Sequence, residues 1–145
     1  MLRDKKILLV EDSRTIRMQI KMMLESQNAI IVEAGNEWGT FTKIEEYGLL
    51  VDLIIMDLVL NSEDGLDIIS KLKSSPKYKN IPIIILTEKV EIDAIMKAKD
   101  LGIKHYLRKP VRKSELIKRI NAILNINGED INSQSESDNA TDSNK

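Results

Sequence analysis

The chain contains no cysteine and a single histidine, His105, among its 145 residues. The first absence excludes disulfides and thiolate metal sites. The second excludes a multi-histidine metal centre and any relay between two histidines. Aromatic residues are scarce at 3%, too few to interleave with the charged residues as a nucleic-acid surface would need. The net charge of −1 also argues against a general nucleic-acid binder. Apolar runs such as "IPIIIL" (81–86) fall far short of the roughly 20 residues that cross a bilayer. The N-terminal "MLRDKK" lacks the apolar core of a signal peptide. No membrane association and a cytoplasmic location are expected. Neither G-x-x-x-x-G-K nor G-x-G-x-x-G occurs, so a nucleotide-binding protein ranks low.

What is present fits one soluble globular domain. Hydrophobic residues make up 42% and charged residues 31%. The charge is unevenly spread. Residues 128–145, "GEDINSQSESDNATDSNK", carry −4, and the remainder carries +3. Polar throughout, that stretch reads as a disordered acidic tail or a truncated linker, with the folded domain in residues 1–127. An output domain does not fit in it.

Four apolar runs, "KILLV", "AIIVEA", "LIIMDL" and "IPIIIL", do not alternate with polar residues. Such runs suit strands buried on both faces of a parallel sheet. "KHYLRK" is a shorter fifth candidate. Helical stripes lie between and after them: Ile16, Ile20, Met23 and Leu24; Trp38, Phe41 and Ile44; Leu66, Ile69 and Leu72; Ala94, Ala98 and Leu101; Leu116, Ile120, Ile123 and Leu124. Gly102 is a natural stop for the fourth helix, and the fifth pattern fades near Asn127. Trp38 and Phe41 read as core, His105 as surface. The β-α alternation, repeated five times with right-handed crossovers, predicts a doubly wound α/β fold, flavodoxin-like, with sheet order 2-1-3-4-5.

That order gives the acidic residues a place. Glu11 and Asp12 end strand 1, Asp57 lies near the end of strand 3, and the two strands are neighbours. Three carboxylates at one mouth repel each other and raise at least one pKa unless a cation intervenes. Oxygen donors without histidine or cysteine select a hard ion, Mg²⁺ first, with Ca²⁺ or Mn²⁺ as alternatives. Strand 4 brings Thr87 to the same edge and strand 5 brings Lys109. A hydroxyl, an ammonium and a metal around one aspartate are what a transferred phosphoryl group requires, with Asp57 as nucleophile.

The set "VED" after strand 1, "MDLVLNSEDG" after strand 3, "LT" after strand 4 and "YLRKP" after strand 5 resembles the receiver domain of two-component response regulators, over roughly Lys5 to Asn127. The resemblance implies that Asp57 accepts a phosphoryl group from a histidine kinase or phosphotransfer protein. It implies Mg²⁺ held by Glu11, Asp12, Asp57 and the backbone carbonyl of Val59. Thr87 would donate to the phosphoryl oxygens and Lys109 would pair with their charge, with a cis bond before Pro110. Tyr106 matches the switch aromatic that turns inward when Thr87 moves. Gly65 matches the loop glycine that starts helix 3. The implied role is a signalling switch, not a metabolic enzyme, that assists its own phosphoryl transfer and hydrolysis. Its output face would be helix 4, strand 5 and helix 5, meeting a second copy or a downstream protein. Arg108, Arg112, Lys113, Lys118 and Arg119 surround this face, either as a solvated surface or as part of that contact.

Two positions depart from the family pattern. Glu88 follows Thr87 where a small residue is usual, so altered phosphorylation or dephosphorylation rates are expected. Asn61 stands where proline is common, which suggests a less rigid loop. An aspartyl-phosphate hydrolase of the haloacid-dehalogenase type would place a second aspartate two residues after the nucleophile; here that position is Val59. A receiver-like domain that binds a partner without phosphorylation is disfavoured by the intact Asp57, Thr87 and Lys109.

Overall fold

The five apolar runs form five parallel strands in a computed structural model, which describes residues 2–88 and 91–125. In chain order these residues build β1 (Lys6–Val10), α1 (Arg14–Glu25), β2 (Ile30–Ala34), α2 (Glu37–Tyr47), β3 (Leu53–Asp57), a hairpin of β4 (Val59–Leu60) and β5 (Glu63–Asp64), α3 (Gly65–Lys73), β6 (Ile83–Thr87), α4 (Ile92–Asp100), β7 (His105–Arg108) and α5 (Lys113–Leu124). The main sheet has the order β2-β1-β3-β6-β7, which is the expected 2-1-3-4-5 once the hairpin is set apart. All four pairings within it are parallel, so every strand ends at the same edge.

Alternation along each strand divides the core in two. Ile7 and Leu9 of β1, with Leu53 and Ile55 of β3, pack under α1 and α5 alongside Ile20, Leu24, Leu116 and Ile120. Leu8, Val10, Ile54 and Met56 face the other way, against Ile44, Ile69, Leu72 and Ala98 of α2, α3 and α4. β3 is central and buried at every position. Each fully buried Leu or Ile contributes about 1.5–3 kcal/mol, which explains why these strands read as continuous apolar runs.

Helix ends follow local chemistry. Ser13 caps α1 by accepting from the Ile16 N–H, Asn36 caps α2 through Gly39, and Asp64 caps α3 through Leu66. Gly102, at φ +84°, ends α4, with Ile103 donating back to the Ala98 carbonyl as in a Schellman turn. α5 closes at Leu124 with Asn125 in the left-handed region. The expected acidic tail at 128–145 lies outside the described residues.

Two expectations need correction. Trp38 is 77% exposed and is not core. Residues spaced by three fall behind the helix by about 60° per step, so Trp38 points well away from Ile44; Thr40 and Ile44 carry the buried face. His105 is partly buried rather than a surface residue. Burial first, then Arg119 and Lys104, hold its imidazole below the usual value. Asn61 takes φ +53° at the turn of the β4–β5 hairpin, a conformation that proline, locked near −65°, could not adopt.

Candidate functional site

The strand ends bring the expected residues together. Glu11 follows β1 directly, and its N–H still pairs with the Ala34 carbonyl of β2 at 3.0 Å. Asp57 is the last residue of β3 and Thr87 the last of β6. Lys109 follows β7, its N–H donating to the Thr87 carbonyl at 2.8 Å. The Lys109–Pro110 bond is cis. A cleft of about 730 Å³ opens over this edge, lined by Glu11, Asp12, Asp57, Val59, Thr87 and Lys109 among others.

Glu11 and Asp57 are 1% and 4% exposed, which is rare for carboxylates unless they are paired. Their shared partner is Lys109, whose Nζ lies 2.8 Å from Glu11 Oε1 and 3.0 Å from Asp57 Oδ2. Asp57 Oδ1 accepts from the Val59 N–H at 3.2 Å, and Glu11 Oε2 from the Ser13 N–H at 3.1 Å. Carboxylate oxygens of Glu11, Asp12 and Asp57 fall within 4.8 Å of one another. One ammonium does not balance three carboxylates. Burial pushes the Glu11 carboxyl above its usual value, and the Asp57 charge adds to this against the opposing pull of Lys109 and Ser13. Burial acts to lower Lys109, but the hydrogen bonds to Glu11 and Asp57 outweigh it and hold the ammonium above its usual value. Surplus negative charge and an all-oxygen donor set fit a hard divalent cation.

Tyr106 does not line this cleft. It is partly buried on β7, and its hydroxyl donates to the Ile103 carbonyl at 3.1 Å. Glu88 lies at the rim, where its carbonyl accepts from Arg108 Nε at 3.3 Å.

Some supporting residues carry no obvious signal in the sequence. Arg17, in the first turns of α1, donates Nη1 to the Glu11 carbonyl at 2.7 Å and Nε to Glu33 of β2 at 3.0 Å. Lys21, one turn further on, holds the other Glu33 oxygen at 2.9 Å. Hydrogen bonds from Lys21 and Arg17 keep the Glu33 carboxyl below its usual range against its partial burial. Glu63 of the hairpin accepts from the Glu37 N–H at 2.7 Å, fastening the loop after β3 to the start of α2. Gly65 was legible as a turn glycine, but its tighter constraint was not: a Cβ there would lie 2.3 Å from the Asp57 carbonyl oxygen.

Comparison with known proteins agrees with this geometry. Residues 7–121 match the response regulator receiver domain. The cell cycle transcriptional regulator CtrA of Caulobacter vibrioides is 35% identical over 121 residues, covering 82% of this chain and 50% of that protein. The chain thus spans about half the length of the curated relatives it matches. A two-component response regulator from Clostridium difficile superimposes with a TM-score of 0.77 at 27% identity, covering 84% of this chain and 97% of that one. The receiver domain of a sensor histidine kinase from Pseudomonas aeruginosa, solved with a magnesium ion coordinated in its active site cleft, gives 0.75 at 24% identity over 84% and 98% of the two chains. That last likeness speaks for the fold alone.

Proposed function

The chain belongs to the response regulator receiver domain family, and from that premise we propose that it is a phosphorylation-activated signalling switch with Asp57 as acceptor. The observation that carries this reading is Lys109 Nζ bridging Glu11 and Asp57, at 2.8 and 3.0 Å, beside a third carboxylate at the end of a parallel sheet. A structural ion pair would need one partner, not a buried pair of carboxylates with Asp12 alongside.

The donor would be a phosphohistidine on a kinase or phosphotransfer protein. An Asp57 carboxylate oxygen attacks phosphorus, the P–N bond breaks, and the imidazole leaves with the bonding pair. Glu11, Asp12, Asp57 and the Val59 carbonyl would hold Mg²⁺, which supplies charge neutralisation at the phosphoryl oxygens. The Lys109 ammonium pairs with one oxygen and the Thr87 hydroxyl donates to another. Hydrolysis of the aspartyl-phosphate by water returns the switch to rest, and Glu88 at the rim influences how fast it does so. This is self-directed chemistry rather than metabolic catalysis.

The signal would leave through α4, β7 and α5. Movement of Thr87 toward the phosphoryl group frees space behind it, and Tyr106 turns inward from Ile103. A second copy or a downstream protein would read the change. Among the described residues no helix is long and apolar enough to cross a membrane. Beryllofluoride with Mg²⁺, a mimic of the phosphorylated state, tests this reading. The amide resonances of Thr87 and Tyr106 are expected to shift on its addition. Unchanged resonances at both positions would overturn the switch.

A further inference from the structure

We propose that Arg17 is a positioning residue for the cation end of the site, acting through the backbone of Glu11 with Glu33 as its anchor. The inference rests on the reading of Glu11, Asp12 and Asp57 as cation ligands.

The geometry is specific. The turn after β1 carries two of the three carboxylates, and the sheet holds only its beginning. The Glu11 N–H is still paired with β2, but the Glu11 carbonyl has left the ladder. Arg17 Nη1 supplies its donor at 2.7 Å. The same guanidinium gives Nε to Glu33 at 3.0 Å, and Lys21 holds the second Glu33 oxygen at 2.9 Å. Three elements are thereby joined at one rigid plane: the turn, α1 and β2. A guanidinium can do this because its donors diverge in a fixed fork, whereas an ammonium is a point donor on a flexible stem. Arg17 is only 21% exposed at its side chain. It does not line the cleft, so any effect on the cation passes through Glu11 and Asp12. Partners that orient ligands in this way commonly change metal affinity by 10–100-fold when removed.

The sign of the effect separates positioning from charge. Removing a cation near a cation site tightens binding if Coulomb repulsion is all that Arg17 contributes. Loss of positioning weakens it. Mg²⁺ affinity of the full chain, read from amide shifts in a titration without phosphodonor, is therefore the measurement, with the Mg²⁺-free thermal midpoint recorded beside it. Arg17→Ala is expected to weaken Mg²⁺ binding about tenfold. Arg17→Lys, which keeps the charge and the aliphatic stem but not the fork of donors, is expected to weaken it by a similar factor. Unchanged or tighter binding in Arg17→Lys or Arg17→Ala, whatever happens to the midpoint, overturns the proposal. Absence of Mg²⁺ binding in the unsubstituted chain would instead remove the cation site itself, and the role of Arg17 with it.

Discussion

Asp52 and Asp57 sit at opposite ends of one strand, and they are held in different ways. Asp52, just before β3, accepts from the Lys6 N–H at 2.8 Å while its own N–H donates to the Lys6 carbonyl at 2.8 Å. That carboxylate completes the ladder between β1 and β3. Asp57 also accepts one backbone N–H, from Val59, but it is crowded by Glu11 and Asp12 and has only a share of one lysine. The aspartate at the first edge is satisfied by the fold. The aspartate at the second belongs to a cluster whose charge the fold leaves uncompensated. Residue type does not separate structural from chemical carboxylates here; the completeness of their partners does.

The contrast can be broken first at the backbone. Gly65→Ala places a methyl group where only 2.3 Å separates it from the Asp57 carbonyl. It is expected to lower stability by about 2 kcal/mol, as overpacking does, in chemical denaturation. Asp52→Asn, which keeps an acceptor for Lys6, should cost under about 1 kcal/mol. Equal losses would mean that the two edges are equally tolerant.

A smaller effect separates them by pH. The Glu11 carboxyl is held above its ordinary 4.5 in the fold. Between 4.5 and that raised value the folded chain binds a proton that the unfolded chain has released. Stability attributable to Glu11 therefore falls as pH rises through this window and is flat above it. The slope is at most about 1.4 kcal/mol per pH unit. Glu11→Gln should remove this component from Mg²⁺-free thermal unfolding curves. Superimposable pH profiles for the two proteins would mean that the burial of Glu11 carries no such cost.

The strand frame was readable because residues buried on both faces leave continuous apolar runs. The order of those runs then placed Glu11, Asp12, Asp57, Thr87 and Lys109 at one edge. The β4–β5 hairpin escaped notice because two-residue strands have no periodicity. Arg17 and Glu33 escaped because their pairing spans sixteen residues and is set by how α1 lies on β2. Trp38 misled because spacing by three resembles a helix face over two steps and drifts from it thereafter. Tyr106 is placed by the pairing of β7 with β6, and its hydroxyl bond to the Ile103 carbonyl is a side-chain contact that "KHYLRK" does not reveal.

The central claim is that the crowded aspartate, and not its partner at the other end of the strand, receives the phosphoryl group. Intact mass after incubation with Mg²⁺ and excess acetyl phosphate tests this directly. The unsubstituted chain and Asp52→Asn are each expected to gain one phosphoryl group, and Asp57→Asn none. An unsubstituted chain that gains no mass under saturating donor, or an Asp57→Asn variant that labels fully, would contradict the account.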